Sequence, residues 1–159
     1  MADTMQISQI SVSDPGVKSL IRRHISFTAT TAQPEHLYVL YPEDLADPQI
    51  LLYGLYDGGA LAAIGALRAL ADGSCEIKSM HVAREFRRRG LGRVLLQHLI
   101  EQARGRIHSR ILIETGSGEA YEIARALYTS EGFMPCGAFG DYPDVEESAF
   151  FALNLTDVD

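Results

Sequence analysis

Apolar residues that alternate with polar ones, or that form short runs between turns, predict seven strands. Glycine marks two tight turns, Asp57-Gly58-Gly59 and Asp72-Gly73, so the three strands around them are expected to form an antiparallel meander. The predicted strands are residues 5–13, 50–56, 60–70, 76–82, 110–115, 133–139 and 148–155.

Apolar residues at helical spacing predict four helices between these strands. The first begins with Asp14 as its cap and Pro15 in its first turn, and the threonine-rich residues 27–33 are predicted to form a loop after it. The second contains Pro42, a poor residue for a helix interior, and the fourth ends before Gly132. The second, third and fourth predicted helices are residues 34–45, 90–104 and 119–130.

The predicted order of elements is β-α-α-β-β-β-α-β-α-β-β, in a single domain spanning residues 1–159. The strand, helix and strand between Glu76 and Thr115 form a right-handed crossover, which makes those two strands parallel neighbours. The fold class is therefore α/β (α+β), with a mixed, mostly antiparallel seven-stranded sheet and helices on both of its faces.

The turn between the strand at residues 76–82 and the next helix has the composition of an anion-binding site. Its sequence is Arg87-Arg88-Arg89-Gly90-Leu91-Gly92, and helical apolar spacing follows directly. The two glycines allow a ligand to approach the backbone closely, and a helix N-terminus offers unpaired N–H groups and a positive dipole end. This combination predicts a site for a phosphate or pyrophosphate rather than a merely solvated arginine-rich turn.

Composition limits the class of ligand and the cellular compartment that we expect. The net charge of −7 argues against general nucleic-acid binding, yet five of the fourteen basic residues lie between Arg84 and Arg93, which favours a small anion. Cys75 and Cys136 match no metal-binding or redox spacing, so we expect two buried thiols and no metal. No apolar run approaches twenty residues, so we expect a cytoplasmic protein that makes no membrane contact.

Two motifs resemble those of the GNAT acetyltransferases. Arg87, Gly90 and Gly92 fit motif A of that family, which is Gln or Arg, two residues, Gly, any residue, then Gly or Ala. Residues 124–133, ARALYTSEGF, fit the signature A-x-x-L-Y-x-x-x-G-F, and the order of elements is similar over nearly the whole chain. The stretches EIKSM, ETGS and CGAFGDY further resemble a YsnE-like bacterial subgroup of small GNAT proteins.

The resemblance implies acetyl-coenzyme A as the acyl donor. The turn would hold its pyrophosphate, and the preceding strand would pair with its pantetheine arm where two central parallel strands separate. Many members carry an asparagine seven residues before the motif tyrosine; that position is Tyr121 here, so the contact would fall to Tyr121, Ser117 or backbone. The other residues implied in donor binding are Met80, His81, Val82, Arg87, Arg88, Arg89, Gly90, Leu91, Gly92 and Arg93.

Acetyl transfer to an amine requires a base for the amine and an acid for the departing thiolate. The family places the acid at Tyr128, which has a reference pKa of about 10 and can protonate a thiolate whose conjugate pKa is about 8.5. Otherwise that ring only closes its helix against the core. Glu76, on the strand where some members carry a catalytic glutamate, is the candidate base unless it only pairs with Lys78 on the same strand face. His81, which strand alternation places on the opposite face, is a second candidate base.

The acceptor is not specified by the sequence. We predict a small amine, in a site bordered by the first two helices and residues 138–148, where Arg22, Arg23, His24 and His36 could meet a carboxylate. A protein N-acetyltransferase and a non-catalytic acyl-coenzyme A sensor are the alternatives, and a homodimer is compatible with either. A nucleotide-binding P-loop is disfavoured because the turn lacks the Gly-Lys-Ser/Thr ending.

Overall fold

The computed structural model describes residues 5–31 and 40–156 of the 159-residue chain. Seven strands and three helices lie in this part of the protein, with single 3-10 turns at Arg84–Phe86 and Glu119–Tyr121. The strands are β1 Gln6–Gln9, β2 Ile50–Asp57, β3 Ala60–Ala69, β4 Cys75–Val82, β5 Arg110–Gly116, β6 Met134–Pro135 and β7 Ser148–Asn154. The helices are α1 Pro15–Ala29, α2 Leu91–Gly105 and α3 Glu122–Ser130.

All seven strands belong to one sheet, in the order β1-β2-β3-β4-β5-β7-β6. The neighbours pair antiparallel except for β4 and β5, which are parallel and are joined through α2. The predicted mixed, mostly antiparallel sheet and its crossover are therefore confirmed.

The sheet is covered on both faces, because residues of β3 alternate between two apolar clusters. Ala63 and Leu67 pack with the buried face of α2, whereas Ile64 and Ala66 pack with α1. Leu95, Leu96 and Leu99 of α2, and Val17, Leu20 and Ile21 of α1, supply the buried helical side chains.

Helix α1 begins as predicted and ends later than predicted. Asp14 caps it, accepting the N–H groups of Gly16 and Val17 at 2.8 and 3.2 Å, with Pro15 in the first turn. The expected loop at residues 27–33 is wrong for residues 27–29, which are helical. The Thr28 hydroxyl bonds to a carbonyl one turn earlier, so the threonine-rich segment closes the helix instead of breaking it.

Two other predicted elements are shorter in the structure. Residues 40–45, the end of the second predicted helix, form turns in which the Asp44 N–H bonds to the Tyr41 carbonyl at 2.9 Å; residues 32–39 lie outside the described ranges. The strand predicted at residues 133–139 is reduced to β6, and the Cys136 N–H extends its pairing with β7 by one bond, to the Phe150 carbonyl at 2.9 Å.

The two cysteines differ in their environment. Cys75 is buried at the start of β4, as expected, but the expectation of a buried thiol is wrong for Cys136, which is exposed just after the edge strand β6. None of the helices in the described ranges is both long enough and apolar enough to cross a membrane.

Candidate active site

The parallel strands β4 and β5 separate, and a cavity opens between them. They pair only from Cys75–Ile111 to Ile77–Ile113, although each strand continues further. The space beyond has a volume of about 250 Å³ and is bordered by residues of both strands, of α1 and of α3. The gap that the family resemblance implied beside residues 80–82 is therefore present.

A β-bulge in β4 changes which side chains face this cavity. Lys78 pairs with Ala66 and His81 with Ile64, so two residues of β4 stand opposite one residue of β3. Ser79, inside the bulge, has a φ angle of +59°. The extra residue reverses the alternation, and His81 packs against α1, on the face that carries Lys78. The predicted placement of His81 on the opposite face is therefore wrong.

The glycine turn at the start of α2 has the backbone geometry of an anion site. Gly90 is the residue before the helix and has a φ angle of +73°, and the preceding Arg88 has +67°. A Cβ on Gly90 would meet nothing within 4 Å, so its conformation and not crowding favours glycine. The N–H groups of the first helical turn, from Leu91, have no acceptor within the helix and are available to a ligand. These features fit a pyrophosphate.

Arg87 reaches back along the cleft rather than outward. Its Nε donates to the Val82 carbonyl at 3.2 Å, and its guanidinium lies 5.6 Å from the centre of the Phe27 ring. The Val82 carbonyl, in the segment expected to pair with pantetheine, thus already accepts one hydrogen bond.

The neighbouring arginines do not converge on the turn. Arg89 pairs with Asp57 of the β2–β3 hairpin at 3.4 Å, and Arg93 pairs with Glu131 after α3. Arg88 is exposed and has no ion pair among the described residues. An anion at this turn would therefore be held by backbone N–H groups more than by the arginines of the sequence.

Tyr128 borders the cavity from α3. Its side chain is 5% exposed and lies between the rings of Phe133 and Phe151, whose centres are 6.0 and 6.2 Å away. Burial raises the pKa of Tyr128 to about 12, and the charge of Glu114 acts in the same direction. Its hydroxyl is therefore protonated at neutral pH and can donate a proton.

Glu76 lies in a buried polar cluster that the sequence indicated only in part. It is 3% exposed, its Oε2 lies 3.7 Å from Lys78 Nζ, and the Tyr142 hydroxyl donates to it. Lys78 donates to the same tyrosine oxygen. Burial lowers the pKa of Lys78, and burial together with the charge of Glu76 raises the pKa of Tyr142. Among described residues, Lys78 borders the cavity and Glu76 does not.

Glu114 is a carboxylate that sequence reasoning missed. It lies on β5 beyond the last residue paired with β4, and it borders the cavity that Tyr128 also borders. Ser148 Oγ donates to it at 2.9 Å. Burial raises the pKa of Glu114, while Ser148 and Lys78 partly oppose the change. The signal that could have found it is the ETGS stretch at the end of a predicted parallel strand.

Tyr121 closes one end of the cavity. A Cβ on Gly116 would lie 2.2 Å from the Tyr121 ring, so only glycine allows this ring to cover β5. The hydroxyl of Tyr121 lies 2.6 Å from Thr31 Oγ1, and its ring lies 5.7 Å from the Phe27 ring. Tyr121 therefore spans the cleft, from Gly116 on β5 to Phe27 and Thr31 at the end of α1.

Ser117 ties down the loop that precedes β7. Its Oγ donates to the Glu146 carbonyl, and its N–H donates to the Glu147 carbonyl at 2.9 Å. Glu147 in turn borders the cavity. Ser117, which the resemblance implies in donor binding, therefore bonds to the loop before β7.

The cationic residues predicted near the acceptor are dispersed. His24 borders the cavity, and its Nδ1 lies 3.2 Å from Nδ1 of His81; burial lowers the pKa of His24 to about 4 and that of His81 to about 3. Both imidazoles are therefore neutral at neutral pH. Arg23 forms an ion pair with Glu85, Arg22 borders a separate groove, and His36 lies outside the described residues.

Comparison with protein families matches residues 18–133 to the acetyltransferase (GNAT) family. The chain is 37% identical over 139 residues to the uncharacterised N-acetyltransferase YsnE of Bacillus subtilis, covering 87% of this chain and 92% of that protein. It is 33% identical to the uncharacterised N-acetyltransferase YedL of Escherichia coli, covering 91% of each. It is 36% identical to the IAA acetyltransferase of Azospirillum brasilense, covering 71% of this chain and 72% of that protein.

Solved structures share the fold. A crystal structure from Klebsiella pneumoniae, assigned as an acyl-CoA N-acyltransferase, superposes with a TM-score of 0.79 at 25% identity, covering 96% of this chain and 99% of that one. The PaiA N-acetyltransferase of Thermoplasma acidophilum, solved with coenzyme A, superposes with a TM-score of 0.74 at 15% identity, covering 95% and 99%.

Proposed function

Because the chain belongs to the GNAT acetyltransferase family and is an acyltransferase, we propose that it moves an acetyl group from acetyl-coenzyme A to a small amine. The amine attacks the thioester directly. The observation that carries the proposal is the cavity between the separated strands β4 and β5, which both Tyr128 and Glu114 border. The proposed compartment is the cytoplasm.

The donor would lie along β4 and end at the glycine turn. The N–H groups at the start of α2, after Gly90, would bind the pyrophosphate, and the backbone of residues 80–82 would face the pantetheine arm. The Ala83 N–H bonds to the Ala62 carbonyl, and alternate residues of an antiparallel strand face the same neighbour, so the backbone of His81 faces β3. The pairing would therefore involve mainly Met80 and Val82, whose carbonyl also accepts from Arg87. A protein with this fold has been solved in complex with coenzyme A, which supports coenzyme A as the carrier of the acyl group.

The chemistry needs one base and one acid on opposite sides of the reacting carbon. The amine gives up a proton to a carboxylate, its nitrogen bonds to the acyl carbon, and the carbon–sulfur bond breaks. Tyr128 gives its proton to the departing sulfur; its raised pKa keeps it protonated at neutral pH and also makes it a weaker acid than an ordinary tyrosine. Glu76, His81 and Glu114 are the candidate bases, and we favour Glu114 because, of these three, it alone borders the cavity.

The size of the cavity supports a small acceptor. Its volume of about 250 Å³ is at the lower end for ligand sites, and the contact between Tyr121 and Thr31 closes one side. A protein N-terminus would require an open groove at this place. Protein N-acetylation and non-catalytic acyl-coenzyme A binding are the alternative functions.

A thiol-release assay with acetyl-coenzyme A and a panel of small amines and peptides tests this proposal, with products identified by mass spectrometry. We expect turnover on small amines, and we expect Tyr128→Phe to lower kcat by about 100-fold with little change in acetyl-coenzyme A affinity. Turnover on peptides alone would indicate a protein N-acetyltransferase. Tight acetyl-coenzyme A binding without turnover on any compound would indicate a sensor.

A further inference from the structure

Ser79 combines two features that cost stability at one position of β4. Its φ angle of +59° lies in the left-handed region, which residues other than glycine seldom occupy. Its Oγ is buried and, within the described part of the chain, has no hydrogen-bond partner. Other buried hydroxyls are paired: Ser74 donates to Asp72, and Thr28 donates to the Ile25 carbonyl.

The fold alone does not account for a serine at this position. Glycine builds a bulge with a left-handed residue at lower cost, and alanine would fill the same place without leaving a hydroxyl unpaired. Strained and unsatisfied groups occur together where a bound ligand completes the structure. Ser79 is therefore a candidate ligand contact.

Ser79 borders the cavity where the acyl group would react. It lies two residues beyond Ile77, which with Ile113 forms the last pair between β4 and β5, and Tyr128 borders the same cavity. The glycine turn follows the other end of β4, after Val82. A phosphate at the turn and an acyl group beside Tyr128 would occupy different places, and Ser79 lies at the second.

We propose that the Ser79 hydroxyl donates a hydrogen bond to the carbonyl oxygen of the thioester acyl group. Oγ is one bond from Cβ, so rotation about χ1 is the motion by which it would turn toward a ligand in the cavity. The same hydrogen bond would stabilise the negative charge that develops on this oxygen when the amine attacks. The proposal rests on the proposed function, since it requires an acyl donor in the cleft.

The test is calorimetric binding of acetyl-coenzyme A and of free coenzyme A to the wild type, Ser79→Ala and Ser79→Gly. Free coenzyme A lacks the acyl carbonyl. Loss of one neutral hydrogen bond should weaken acetyl-coenzyme A binding by about two- to tenfold in both variants and leave coenzyme A binding unchanged. Equal losses would identify the hydroxyl as the cause, because glycine relieves the backbone strain and alanine retains it.

Ser74→Ala is the matched control, because it deletes a buried serine hydroxyl that has a partner. It should lower Tm without changing either affinity, whereas Ser79→Ala should leave Tm unchanged or raise it. Unchanged acetyl-coenzyme A affinity in both Ser79 variants, or an equal loss for both compounds, would overturn the assignment. A wild-type protein that binds neither compound would overturn the proposed function itself, so the two failures are distinguishable.

Discussion

The two sides of the cleft differ in the groups that they offer to a ligand: one offers backbone, and the other offers side chains. The proposed donor side consists of backbone: the left-handed Gly90, the first turn of α2 and the C-terminal half of β4. The proposed acceptor side consists of half-buried side chains from four segments, with Glu114 on β5, Tyr121 before α3, His24 on α1 and Tyr142 in the loop before β7. A ligand group common to all acyl donors can be bound by backbone, whereas selection of one acceptor requires particular side chains.

This difference predicts unequal responses to substitution. Side chains on the acceptor side are half-buried and interact electrostatically with one another, so we expect the loss of one to change the protonation of another or the stability. On the donor side each N–H group contributes a small part of the binding energy, so single changes there should alter affinity by modest factors.

The largest effect is expected from Glu114→Gln, which preserves shape and the acceptor for Ser148 but cannot take a proton. If Glu114 is the base, kcat should fall by about 100-fold or more. The wild-type rate should fall as the pH falls through the raised pKa of Glu114, because protonation removes the base. A pH–rate profile of both proteins measures this, and the variant should lose that acid limb.

The same measurement on Glu76→Gln separates the two carboxylates. Glu76 would be the base, as the sequence predicts, if Glu114→Gln leaves the pH–rate profile unaltered and Glu76→Gln abolishes the fall in rate at low pH.

Glu76→Gln should mainly affect stability, the second largest effect. It leaves the buried charge of Lys78 without its carboxylate, which costs roughly 3 kcal/mol in comparable buried pairs. Urea unfolding should show the loss. The double variant Glu76→Gln with Lys78→Met removes both charges and should recover most of it; no recovery would mean that the pair is not the source of the loss.

Elements defined by local pattern were predictable from the sequence, and so was the glycine turn that opens α2. Alternation and turn glycines located the strands of the meander, and the Gly90 turn was visible because its chemistry lies within six consecutive residues. Ser79 was not visible as a bulge, since serine carries no signal for a left-handed residue. Because this one extra residue reverses the alternation, the prediction assigned His81 to the wrong face of the sheet.

The acceptor side could not be predicted because its contacts join distant positions. Tyr142 lies 66 residues from Glu76, and nothing near either residue identifies the other. In the sequence Tyr121 is visible only as a departure from the asparagine of the family, although Gly116 is what allows its ring to close the cleft. Burial, which changes the pKa of Glu114, also depends on packing that the sequence does not display.

Gly90→Ala tests the backbone of the donor side and should have a smaller effect. Its left-handed φ angle should cost a residue with a Cβ about 1 kcal/mol, and the distorted turn should weaken coenzyme A binding by about fivefold. Gly73→Ala is the matched control: Gly73 has a φ angle of +89° with nothing within 4 Å of a Cβ, in the β3–β4 turn. Both variants should lose stability on thermal melting, and only Gly90→Ala should lose affinity by calorimetry.

The smallest effect is expected from Arg88→Ala, on the exposed edge of the donor side. An exposed charge near a helix N-terminus contributes about 0.3–1 kcal/mol, so coenzyme A affinity should fall by about two- to fivefold at low salt and less at high salt. Arg104→Ala, at the opposite end of α2, removes an equally exposed arginine and should leave the affinity unchanged at either salt concentration. If Arg88→Ala lowers the affinity far more than this, charge and not backbone geometry dominates donor binding, and the contrast between the two sides of the cleft does not hold.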